Sequence, residues 1–154
     1  MITNDNNFKN KDQSLNKKGF TLIELVVVVA IIGLLSVLSI MALNSASKRS
    51  RDALRLSHLQ QLRHGLDLYF INKNSYPEGT NIILGSGNFS CLNENGWQSA
   101  GCPNPYLNPV PSDPKNGSYM YTSASSTYTV SATLEGQIEN LSGVIRLNPA
   151  GISK

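Results

Sequence analysis

The sequence predicts an α+β fold. A long N-terminal α-helix, membrane-spanning in its first half and amphipathic in its second, is expected to pack on a small antiparallel sheet of about three strands. Three observations carry this. Residues 20–72 contain no proline, and within them Leu25–Leu43 is a 19-residue run without a charge, about the length a helix needs to cross roughly 30 Å of hydrocarbon. Beyond that run, Leu56, Leu59, Leu62, Leu66 and Tyr69 recur at helical spacing. Near the C-terminus, "TYTVSATL" (residues 127–134) alternates in the manner of a half-buried strand.

Residues 1–19 read as a leader: polar, rich in Asn and Lys and without periodicity. The formal charge of the 154-residue chain is +3, and four lysines (Lys9, Lys11, Lys17, Lys18) stand in the leader against Asp5 and Asp12. From Phe20 onward nine Lys/Arg face eight Asp/Glu, so the basic excess belongs largely to the leader. That distribution argues poorly for nucleic-acid binding.

Residues 20–43 form the apolar part of the helix and 44–72 its amphipathic continuation, which needs a partner surface. Gly33 weakens the apolar part locally, by up to about 1 kcal/mol. Arg55, His58, Gln61, Arg63 and Asp67 are assigned to faces away from the leucine stripe, and His58 and His64 to solvent. "NKNSYPEG" (residues 72–79) then stops the helix with turn residues and Pro77.

A connection over 73–117 follows, holding Cys91 and Cys102, Trp97 and six prolines, Pro77 among them. The two cysteines are the only ones, with ten residues between them in a loop rich in Asn, Gly and Pro. Such a pair reads as a disulfide formed outside the cytoplasm, two unpaired thiols being the other possibility. The spacing does not suit a metal site. Lysines before the span balance Lys48, Arg49, Arg51 and Arg55 after it, so charge alone leaves orientation open. A disulfide would place the C-terminal domain outside and the leader inside.

Residues 118–154 complete the domain. Tyr128, Val130, Ala132 and Leu134 share one strand face. "SYMYT" (118–122) and "GVIRL" (143–147) supply neighbours, with Tyr119, Tyr121, Ile145 and Leu147 pointing inward. Three short strands cannot bury a face alone, so the helix stripe is their natural cover.

No motif for catalysis is found: no G-x-S-x-G, no H-E-x-x-H, no phosphate loop and no C-x-x-C. The unusual residue is Glu24, the single acid in "KKGFTLIELVVVVAIIGLL" (residues 17–35). A carboxylate at mid-bilayer costs about 2.5–3.5 kcal/mol on insertion scales. Thr21-Leu22-Ile23-Glu24 fits S/T-x-x-E, a capping box at a helix start, and the helix dipole favours an anion there. Capping alone leaves the basic leader ending in Gly19 before Phe20 unexplained. A cut between Gly19 and Phe20 would free an α-amine, cationic below a pKa of about 8. Pairing that amine with Glu24 of a neighbouring subunit would neutralise both groups in lipid.

This N-terminal stretch closely resembles the type IV pilin and type II secretion pseudopilin signal, from Lys17 to about Leu43. The resemblance implies cleavage by prepilin peptidase after Gly19, N-methylation of Phe20, and Glu24 pairing with a neighbour's Phe20 amine. It also implies a helical filament of like subunits, raised by an inner-membrane assembly platform and a cytoplasmic ATPase. The expected location is the bacterial inner membrane, single-pass, with the C-terminal domain outside and an extracellular or periplasmic filament after assembly. A pilin-like fold follows from the same resemblance, without catalytic activity or a required cofactor.

Two departures stand out. Met41 occupies the place where many pilins have proline, and the cysteines lie in the middle loop and not a C-terminal one. "PSDPKNGSYMYT" (111–122) resembles the stretch of the major pseudopilin where an Asp helps bind calcium. Asp113 is its only acid, weak for a cation taking six to eight oxygens, and a solvated turn Asp is the simpler account. Two other functions compete with the filament. One is an anchored or secreted binding domain with an ordinary export signal cut near Ser45, Ala46 or Ser47. The other is a minor pilin of a DNA-uptake filament, binding DNA through Lys48, Arg49, Arg51 and Arg55; these sit just beyond the span, and contact with lipid headgroups or neighbouring subunits is the simpler account of them.

Overall fold

A computed structural model describes residues 19–154; the leader expected over 1–19 lies, apart from Gly19, outside the described residues. One helix, α1, runs Leu22–Lys73. The proline-free stretch thus folds as a single element, through Gly33 and Met41. It ends at Asn74, which adopts a left-handed backbone (φ 55°) and donates its N–H to the Phe70 carbonyl at 2.7 Å. Asn tolerates this conformation as a helix terminator.

The chain forms two compact units, residues up to Ile40 and Met41–Lys154. In the first, every described residue is exposed, including the run of Val, Ile and Leu. Ser36 and Ser39 return their hydroxyls to the carbonyls of Ile32 and Leu35, at 2.7 and 2.8 Å. Their polar groups are therefore satisfied within the helix, as an apolar surrounding demands. An 18-residue window of this helix reaches a mean hydropathy of 3.0, and its length and composition suffice to cross a membrane.

The second unit holds the core. The strands are β1 (Ile82–Ile83), β2 (Cys91–Asn93), β3 (Gly96–Gln98), β4 (Met120–Ala124), β5 (Thr127–Ile138), β6 (Leu141–Asn148) and β7 (Gly151–Ser153). Five make one antiparallel sheet in the order β1-β4-β5-β6-β7, and β2 and β3 form a separate hairpin. Val130 pairs with Tyr121 on one side and Leu147 on the other, while Ala132 faces Ile145. One sheet face thus collects Tyr121, Tyr128, Val130, Ala132, Leu134, Ile145 and Leu147, all buried, with Tyr119 beside them. Leu59, Leu62 and Leu66 are fully buried against this layer, and Leu56 and Tyr69 flank it. Burying a leucine side chain is worth about 1.5–3 kcal/mol, so this stripe holds helix to sheet.

The sheet is larger than the three strands expected. β7 returns after a turn in which Asn148 Oδ1 accepts the N–H groups of Ala150 and Gly151. β1 adds a two-residue edge drawn from the stretch read as connection. That stretch also contains the β2–β3 hairpin and a short 3₁₀ turn at Gly87–Phe89. The Cys91–Cys102 disulfide ties β2 to the loop that follows the hairpin. Leu92 reinforces this by exchanging backbone hydrogen bonds with Leu107.

Candidate functional site

At the N-terminal end of α1, Phe20 is 81% exposed, and a side chain added at Gly19 would meet nothing within 4 Å. The bond between them is open to approach from within the described chain. Thr21 and Glu24 form the reciprocal box that their spacing suggests. Glu24 N–H donates to Thr21 Oγ1 at 3.3 Å, and Thr21 N–H and Oγ1–H donate to Glu24 Oε2 at 3.3 and 3.1 Å. The first helical bond runs from Leu25 N–H to the Thr21 carbonyl. The box occupies Oε2 of Glu24; among the described residues no cation pairs with this carboxylate.

A second charged constellation sits within the globular unit. Arg55 is 3% exposed. Its Nε and Nη2 grip Asp113 Oδ2 and Oδ1 at 2.7 and 2.9 Å, while Nη1 reaches Asp52 Oδ1 at 2.8 Å and Glu135 Oε1 at 3.0 Å. Arg51 makes a second fork, onto Glu135, at 2.6 and 2.8 Å, and Lys115 Nζ adds a contact at 3.1 Å. Bidentate guanidinium–carboxylate pairs are the strong kind. The carboxylates have backbone partners as well. Asp52 accepts the N–H groups of Glu135 and Gly136, and Asp113 those of Lys115 and Gly117. The Arg55 guanidinium, helped by those amides, holds the Asp113 carboxyl below its ordinary range against the opposing effect of burial. Glu135 is lowered by Arg51 first, then by Arg55 and Lys115.

This cluster, with His58 beside it, corrects three expectations. Arg55, which is buried, and Arg51, which is partly exposed, are not free cations available to DNA or lipid, because their guanidinium groups are committed to carboxylates. Asp113 is not a solvated turn residue: its two oxygens accept from Arg55 and from two backbone amides, which leaves a poor donor set for calcium. Among the described residues no group of three or more His, Cys, Asp and Glu side chains is placed to hold a metal ion. His58 is half-buried and not solvated, with Nδ1 at 3.0 Å from the Tyr119 hydroxyl. Burial lowers its pKa, with Asp113 opposing.

A signal for the buried arginine exists in the sequence. The stripe Leu66, Leu62, Leu59, continued toward the N-terminus, lands on Arg55 after one turn and Asp52 after two. A charged pair in line with a core stripe predicts burial; assigning it by residue type to the polar face conceals it. Its partners Asp113 and Glu135 lie 58 and 80 residues away, where no local pattern points to them.

The remaining candidates lie apart. Cys91 and Cys102 are bonded to each other in the middle of the connection. Ser45, Ala46 and Ser47 sit within the unbroken α1. Lys48 and Arg49 are exposed, and among the described residues neither takes part in an ion pair.

Two protein-family descriptions match the chain. Residues 14–42 match the prokaryotic N-terminal methylation motif, and residues 42–143 match type II secretion system protein G. No curated protein and no solved structure matches it.

Proposed function

We propose a function from one premise: the chain belongs to the family of type II secretion system protein G. It is a pseudopilin-type structural subunit, anchored in a membrane through its apolar helix. In our reading, prepilin peptidase removes the leader between Gly19 and Phe20, the new amine of Phe20 is methylated, and subunits polymerise into a helical filament. The inner-membrane assembly platform and its cytoplasmic ATPase would drive that step, with the disulfide-bearing domain outside the cytoplasm.

One observation carries this reading. An uninterrupted apolar helix is exposed along its whole first part, and among the described residues the single carboxylate at its start has only its own capping residue for company. Apolar surface of that extent demands lipid or like helices around it. In either surrounding Glu24 requires a cation, since an unpaired buried charge is strongly unfavourable. A neighbour's Phe20 amine supplies one and fixes the stagger between subunits.

Glu24→Ala tests this. The variant should insert in membranes and be processed, because a neutral residue is cheaper in lipid, yet assemble into filaments at under about a tenth of the wild-type level, as loss of a buried pair worth 3–5 kcal/mol implies. Normal amounts of sheared filament from this variant would remove the role assigned to Glu24. N-terminal sequencing of the mature protein separates this function from an ordinary exported domain. Phe20 as first residue supports the filament, and a start near Ser47 removes it.

A further inference from the structure

A groove of about 330 Å³ lies within the second unit, lined by Ser45, Lys48, Arg49, Glu135, Gly136 and Gln137. Ser45, Lys48, Arg49 and Asp52 share one helix face, at positions i, i+3, i+4 and i+7. Asp52 fixes the opposite wall by accepting the N–H groups of Glu135 and Gly136 at 2.9 Å each, at the irregularity in β5.

Charge within this wall is balanced. Arg51, Arg55 and Lys115 face Asp52, Asp113 and Glu135, three cations against three carboxylates, all joined by ion pairs or hydrogen bonds. Glu135 is therefore compensated from behind. Among the described residues Lys48 and Arg49 are left as a pair of positive charges on the rim that no carboxylate pairs.

Their position along the helix decides what they meet. Met41 and Leu43, at the end of the apolar stretch, are exposed. Lys48 follows Leu43 by five residues, about 7.5 Å at 1.5 Å per residue. The headgroup layer on each side of a bilayer is about 5–7 Å deep. Side chains on a helix lean toward its N-terminus, so both cations reach back toward the membrane surface. Ser45 and Gln137 add neutral hydrogen-bonding groups beside them.

We propose that this groove binds the phosphate of an anionic membrane phospholipid, held by Lys48 and Arg49 with Ser45 and Gln137 alongside. The inference rests on the membrane-spanning role of residues 20–43 proposed above. A cation near an anionic membrane surface gains about 1 kcal/mol, so each charge is worth about fivefold and the pair about thirtyfold in affinity.

The full chain, purified in a neutral detergent, is titrated with short-chain phosphatidylglycerol, short-chain phosphatidylcholine and inorganic phosphate, with bound lipid counted by native mass spectrometry. Phosphatidylglycerol should bind at least tenfold more tightly than phosphatidylcholine. The Lys48→Gln/Arg49→Gln variant should lose most of that preference, whereas Lys73→Gln/Arg146→Gln, which removes two exposed cations elsewhere, should keep it. Equal binding of the two lipids, a preference surviving Lys48→Gln/Arg49→Gln, or full competition by inorganic phosphate at the lipid's own concentration would overturn the proposal. So would a Lys48→Cys variant that cross-links to a second copy of the chain without protection by phosphatidylglycerol. Membrane flotation of the same variants separates the two layers of inference. A chain that floats with membranes but shows no lipid preference refutes the groove alone; a chain that does not float refutes the span as well.

Discussion

Replacing Arg55 with methionine tests whether the buried ion cluster is structural. Methionine fills a similar stem volume but leaves Asp113, 3% exposed at its side chain, and Asp52, 2% exposed, without the guanidinium that bridges them. Four charge-assisted hydrogen bonds disappear. Removing one partner of a buried ion pair costs about 3–5 kcal/mol, because a desolvated charge remains. A domain of this size is stable by only about 5–15 kcal/mol in total. The assay is urea unfolding of the detergent-solubilised full chain. Fluorescence of Trp97, the only tryptophan, reports on the globular unit, since its ring packs 5.1 Å from that of Tyr121.

The expected losses are graded. Arg55→Met should lose about 3–5 kcal/mol at pH 7. Arg55→Lys keeps the charge without the fork onto Asp113 and should lose about 1.5–3 kcal/mol, the worth of a hydrogen bond to a charged group. Adding Asp113→Asn to Arg55→Met removes one orphaned charge and should recover part of the loss. The sign with pH follows from the lowered Asp113 and Glu135. A carboxyl whose folded pKa is depressed contributes stability that is present above its unfolded pKa, about 4, and lost as pH falls toward the folded value. Wild type should therefore lose stability below about pH 4, and the gap to Arg55→Met should narrow there. A loss below about 1 kcal/mol at pH 7, the median for a surface pair, would refute the account of a desolvated structural cluster.

Further outcomes follow from the same structure. Gly19→Ala should be processed nearly normally and Gly19→Trp should accumulate precursor on a blot, because the peptidase must reach a bond that the described chain leaves open. Cys91→Ser/Cys102→Ser should cost about 3 kcal/mol for a loop of about a dozen residues in the chain-entropy account, read as a lower urea midpoint than the oxidised wild type. His58, whose pKa is lowered chiefly by burial, favours the folded state when neutral. Its contribution is present above the unfolded histidine pKa of about 6.5 and declines as pH falls through and below it. His58→Gln should flatten the stability profile between about pH 7.5 and 5, and an unchanged slope would contradict the placement of His58 against Tyr119.

Much of the architecture is written in local periodicity. The leucine stripe of α1 and the alternation of Tyr128, Val130, Ala132 and Leu134 each report one face of one element, and the burial of those side chains matches the pattern. β1 and β7 escape such a reading because two or three residues cannot display a period, and their strand character comes only from partners at Met120–Tyr121 and Arg146–Asn148. The Thr21–Glu24 box is legible because it closes within one turn. The Arg55 cluster is not, because it joins a helix, a loop and a strand that are distant in sequence. Residue type misleads there too: arginine suggests solvent, while its register with Leu59 and Leu62 points inward.

That three-way junction has an evolutionary consequence. With residues 51–55, 113–115 and 135 stapled together by charge, Cys91–Cys102 closing its own small ring, and Leu107 and Val110 packed into the core, the exposed turn just after Cys102 need not define the fold. Mutations and short insertions around Pro103–Pro105, which is exposed, can accumulate while the joint holds. A lineage of such proteins can then diversify its outward appearance, as a mosaic changes tiles without moving the wall.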